Sequence, residues 1–121
     1  MLFKKKQTEE NGKEKYLITL MLKVIDEEKN LKNQVIKVII CKGVIDLYPD
    51  GADQKAAIKD FEYNQQYLLN KIALYDDARK TYVNVLEKYQ AEGVALNYVK
   101  PFTSHEIVEE AYRRFFEKGK F

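Results

Sequence analysis

From Ala52 to Glu92 the chain carries neither proline nor glycine, and apolar residues recur there at spacings of three and four. Taken at every seventh residue they form two columns: Phe61, Leu68, Tyr75, Tyr82, Tyr89 and Ile58, Gln65, Ile72, Arg79, Leu86. Both columns fall on one side of an α-helix. A continuous helix over this stretch is roughly 60 Å long, at about 1.5 Å per residue. The rest of the chain must cover or extend that rod. Leu69 and Val83 on one flank, and Ala78 and Val85 on the other, widen the stripe beyond a two-stranded coiled-coil seam. Such a width suits a helix lying on its own domain. Asp76 and Asp77 offer an alternative in which the rod divides near Tyr75.

Upstream the pattern is less decisive. Residues 1–15, polar from Lys4 onward, fit a flexible tail ahead of a single globular domain over 16–121. Tyr16 to Ile25 is apolar on both strand faces and around most of a helix, so periodicity does not separate the two. Asp26 to Gln34 is polar except for Leu31 and reads as a connection. Val35 to Leu47 is crowded with Val and Ile, which pack well on a pleated sheet and lose rotamer freedom in a helix. Lys42-Gly43 stands between two such runs, where a hairpin would turn. These features predict an N-terminal antiparallel meander. A rival helix from Glu14 to Leu47 keeps a heptad-like set at Leu17, Met21, Val24, Leu31, Val35 and Val38, but places Glu28 and Lys42 in its seam.

Pro49-Asp50-Gly51 is turn chemistry, and Asp53 is a candidate cap for the long helix. Gly93 stands where a helix ends. Val94 to Val99 alternates weakly, as a short edge strand would. Thr103-Ser104-His105-Glu106 matches a capping box. Behind it, Ile107, Val108, Ala111, Tyr112, Phe115 and Phe116 share an apolar face, with Glu109–Arg113 and Glu110–Arg114 as paired charges on the other face. The fold class predicted is therefore α+β: a meander packed against one long helix, or two collinear ones, plus a C-terminal helix. The alternative is an all-α helical bundle.

Composition narrows the function. The net charge of +2 gives no global field that favours nucleic acid or membrane. Eighteen Lys stand against three Arg, and Arg is the better residue for bidentate phosphate and base contacts. The one cysteine, Cys41, forms no internal disulfide and no Cys-based zinc site, which suits a reducing, cytoplasmic setting. No segment reaches the roughly 18 apolar residues that span a bilayer. Ser104 and His105 are neighbours at a helix start, which suits capping better than a nucleophile with its base. Adjacent carboxylates such as Asp76-Asp77 and Glu109-Glu110 do not face each other on a helix. No phosphate-cradling or metal-ligating motif is present.

No cofactor, metal site or catalytic residue is expected, and the chain is not expected to be an enzyme. Nine Tyr without a Trp point instead to contact surfaces. The leading expectation is a small protein-interaction protein: an accessory, adaptor or inhibitor of a larger complex, able to self-associate as a homo-oligomer. Size and Lys bias associate it with phage or mobile-element products. Its interaction residues would come from Tyr63, Tyr67, Tyr75, Tyr82, Tyr89, Tyr112 and Phe121. The alternative is a nucleic-acid-binding accessory protein, stacking bases on the Tyr column and touching phosphate with Lys4, Lys5 and Lys6. A weaker third reading places Tyr16 to Ile25 on a membrane surface.

Overall fold

The computed structural model describes residues 2–117, with side chains from Asn11 onward. Three helices account for it: α1 (Leu2–Leu47), α2 (Ala52–Ala91) and α3 (Ser104–Glu117). No strand occurs among the described residues. The expected meander is therefore corrected to the all-α alternative. Residues 2–15 are the first turns of α1, Asp26 to Gln34 continue it, and Val35 to Ile40 with Lys42-Gly43 form its last third. Val94 to Val99 is irregular, not an edge strand.

The physical reason is periodicity over propensity. Val and Ile give up only a few tenths of a kcal/mol each in a helix, and burial of one face outweighs that. Leu17, Val24, Leu31, Val35, Val38 and Ile39 are buried, whereas Ile40 and Val44 are exposed. That is a helical stripe, not strand alternation. No proline precedes Pro49, so nothing interrupts α1.

Tyr48 to Gly51 reverses the chain. Gly51, at φ 93°, holds the N-cap position that Asp53 was expected to fill, and Asp53 lies in the first turn instead. A carboxylate there still complements the positive end of the helix. α2 then runs antiparallel to α1 without a break at Tyr75. The pairing is fixed at both ends: Cys41 lies against Asp60 near the hairpin, and Lys13 pairs with Glu92 at the far end. Tyr75, Tyr82 and Leu86 are fully buried between the helices. Phe61, Leu68 and Ile72 are half-buried, and Ile58 and Gln65 are exposed. An ideal helix drifts about 20° per heptad, so a strict seven-residue column leaves a straight seam.

After α2, Gly93 at φ 84° turns the chain, and the segment to Thr103 runs back along the hairpin. Three side chains of α2 hold it by its carbonyls. Gln90 donates to Ala95 and Tyr98, Arg79 donates to Pro101, and Tyr75 donates to Phe102. Thr103 and Glu106 then form the capping box: Glu106 N–H donates to the Thr103 hydroxyl, and Thr103 N–H donates to the Glu106 carboxylate, each at 3.2 Å. α3 packs chiefly on α1, with Ile107 beside Glu28 and Tyr112 beside Ile39. It therefore runs parallel to α1 and covers the hairpin half of the bundle.

Candidate functional surfaces

The outer face of α2 carries Tyr63, Tyr67 and Leu74, at i, i+4 and i+11, all exposed. The Tyr63 and Tyr67 rings stack at 6.3 Å between centroids, and the Lys71 ammonium lies 5.0 Å from the Tyr67 centroid. The two rings thus lie side by side, nearly parallel, on the exposed surface of the helix. Phe61, Leu68 and Ile72 occupy the opposite side of α2, so this pair of tyrosines is outside the core by construction of the helix.

The other sequence-selected tyrosines fall elsewhere. Tyr75 and Tyr82 are core residues with no accessible surface to speak of. Burial pushes the Tyr75 phenol up to about 12, with the charge of Glu28 adding to it. Burial also raises Tyr82. Tyr89 is half-buried under the Lys13 ammonium. Tyr112 is half-buried and stacks on the exposed Phe116. Phe121 and the side chains of Lys4, Lys5 and Lys6 lie outside the described residues. The structure thus brings Tyr63 and Tyr67 together and separates them from the rest.

A second exposed surface falls within Tyr16 to Ile25, the stretch weighed above for a membrane surface. On the N-terminal half of α1, Ile18, Leu22 and Ile25 follow each other at i, i+4 and i+7, facing away from α2. Beside Ile25 the returning segment adds Val99 and Phe102, which share a shallow hollow of about 200 Å³ with it. The signal was present: a helix apolar on two faces needs two partners, and α2 covers only one.

Between α1 and α3 lies a groove of about 490 Å³ with Ile107 and Phe102 at its floor. Its charged rim is internally paired. Glu110 accepts from both Arg113 and Arg114, which hold its carboxyl down at about 2. Arg113 also reaches Glu117, and Glu109 takes His105 at 2.8 Å. The expected Glu109–Arg113 pair is replaced by these. Ser104 begins α3 and His105 is exposed, away from any nucleophile–base geometry.

Cys41 is half-buried at the hairpin, its thiol directed at Asp60. Burial and the Asp60 charge raise its pKa, which suppresses the reactive thiolate. Within the α1–α2 seam, Gln34 donates to the Asn64 backbone carbonyl at 2.9 Å and to its side-chain oxygen at 3.2 Å. One helical repeat earlier, Glu27 is buried with Oε2 lacking any hydrogen-bond partner. Among the described residues no cluster of three or more His, Cys, Asp or Glu side chains is arranged to hold a metal ion. No helix among them is long and apolar enough to cross a membrane. No protein-family model, no curated protein and no solved structure matches the chain.

Proposed function

We propose that this protein works by contact, as a non-enzymatic accessory, adaptor or inhibitor that docks on a larger protein in the cytoplasm. The observation that carries the reading is the exposed, adjacent Tyr63–Tyr67 pair on α2, continued by Leu74. Tyrosine brings large contact area at the cost of few rotamers, and two adjacent tyrosines double that area. The nucleic-acid alternative draws less support. Its stacking column contains Tyr75 and Tyr82, whose faces are packed against the bundle.

The test is co-purification from the native cell, comparing the natural chain with Tyr63→Ala/Tyr67→Ala. The expected result is one stoichiometric protein partner that the double variant loses while keeping its helical circular dichroism. Tight binding to DNA or RNA that collapses as salt rises, untouched by the double variant, would overturn the reading.

A further inference from the structure

We infer that α3 is a releasable cover. It lifts off as a unit, pivoting between Phe102 and Thr103, and leaves the α1–α2 hairpin intact. Its release exposes the second half of an apolar stripe of α1 whose first half is already bare. The inference does not depend on the α2 tyrosines.

The stripe is read from spacing along α1. Ile18, Leu22 and Ile25 stand two heptads before Lys32, Ile36 and Ile39, so the two sets share one face of the helix. The first set is exposed. The second lies under α3, with Ala111 and Phe115 beside Ile36 and with Tyr112 beside Ile39. One continuous face is thus half covered, and the cover is α3.

The cover is held loosely and from one end. Ile107 is its one buried side chain among the described residues, while Val108, Ala111, Tyr112 and Phe115 are half-buried. Hollows of about 370 and 360 Å³ open along its two flanks, one beside Ile36 and the other beside Ile39. A permanent core is packed more closely than that. The charged side chains of α3 bond to one another: Glu110 with Arg113 and Arg114, Arg113 with Glu117, and His105 with Glu109. Among the described residues no hydrogen bond or ion pair joins α3 to α1 or α2, so none has to break when it leaves. The clamps from α2 stop at Phe102. Gln90, Arg79 and Tyr75 hold the carbonyls of Ala95, Tyr98, Pro101 and Phe102, whereas Thr103 already belongs to the capping box of α3. The pivot therefore falls between Phe102 and Thr103, and release leaves every clamp in place.

Magnitudes separate the two openings. Full burial of one isoleucine favours the covered state by about ten- to a hundredfold, and each half-buried neighbour adds less. Folding of a small domain as a whole is favoured by about a thousandfold or far more. The α1–α2 seam keeps Leu17, Leu31, Val35, Tyr75, Tyr82 and Leu86 fully buried, so it outlasts the α3 contact.

Thiol labelling of the full chain under native conditions tests the inference. In a Cys41→Ser background, Ile39→Cys puts the single thiol under α3, and Leu31→Cys puts it in the α1–α2 seam. Both replace a buried aliphatic side chain of the same size. With a thiol-specific disulfide reagent, Ile39→Cys is expected to label at least about tenfold faster than Leu31→Cys. Its rate should be nearly independent of urea below the unfolding transition, whereas Leu31→Cys should label only through urea-dependent global unfolding. Ile107→Ala should speed the labelling of Ile39→Cys by at least about tenfold, and that of Leu31→Cys far less. Amide hydrogen exchange on the natural chain gives a reading free of core substitutions. A detached helix of this length is only marginally stable, so the α3 amides should exchange together through an opening insensitive to urea. Those of Val24 to Val38 should exchange only with global unfolding. Equal labelling rates with equal urea dependence would mean that α3 and the hairpin open as one body, which overturns the inference. So would α3 amides as protected as those of the α1–α2 seam.

Discussion

The Tyr75 hydroxyl donates to the carbonyl oxygen of Phe102, tying the middle of α2 to the last residues before α3. Tyr75 is itself fully buried, so one side chain both fills the core and anchors the segment that delivers α3. Arg79, one turn on, repeats the contact at Pro101. Tyr75→Phe keeps the ring and removes the anchor. It should cost about 0.5–1.5 kcal/mol in urea unfolding, the net worth of one hydrogen bond.

The same phenol predicts a pH limit. Tyr75 is raised to about 12 when folded, chiefly by burial, against 10.0 as the ordinary value. The folded state thus favours the neutral hydroxyl. Its contribution is complete below pH 10 and is lost as pH rises from about 10 towards about 12, because the unfolded chain ionises first. Unfolding followed by circular dichroism should show stability falling across that window. In Tyr75→Phe the fall should be shallower. A variant with the same alkaline slope as the natural chain would show that another group sets it.

Two leucines on α2 separate core from surface. Leu86 is fully buried against the α1 stripe, and Leu69 is mostly exposed. Leu86→Ala should lose about 2–5 kcal/mol, the transfer term plus the cavity it leaves. Leu69→Ala should lose less than about 0.5 kcal/mol. Both are measured by urea denaturation of the single variants, and equal losses would contradict the burial pattern.

Gly43 shows where the sequence misleads. Lys42-Gly43 between Val/Ile runs has the chemistry of a hairpin turn, yet Gly43 sits inside α1 with helical backbone, and a Cβ there meets nothing within 4 Å. Gly43→Ala should therefore stabilise the fold by about 0.5–1 kcal/mol, seen as a higher urea midpoint. A true turn at this position would make the same change destabilising. The long α2 and the capping box of α3 were legible because each rests on local spacing: an uninterrupted apolar period, and Thr103 three residues before Glu106. α1 was obscured because β-branched residues speak for a strand locally, and only packing against α2 decides the matter. The tyrosine face was half legible. Spacing alone cannot say which of two adjacent helical stripes turns inward, so Tyr75 and Tyr82 went to the core while Tyr63 and Tyr67 stayed outside.

Glu27 offers the sharpest stability test, because it breaks a rule that the rest of the seam obeys. Its neighbours along the α2-facing side of α1 are Leu20, one repeat before, and Gln34, one repeat after, whose amide is satisfied by Asn64. Glu27 is buried like Gln34, though less deeply, and its Oε2 has no hydrogen-bond partner. A buried polar oxygen without a hydrogen bond costs about 1–3 kcal/mol, more when charged. Replacing it with an apolar side chain of similar length removes the penalty and adds apolar burial. Glu27→Leu should therefore raise stability by about 1–3 kcal/mol, whereas Gln34→Leu should not, because it strands Asn64. The two variants compared by urea unfolding decide the point. A destabilised Glu27→Leu would mean that the carboxylate is held by an interaction specific to its charge.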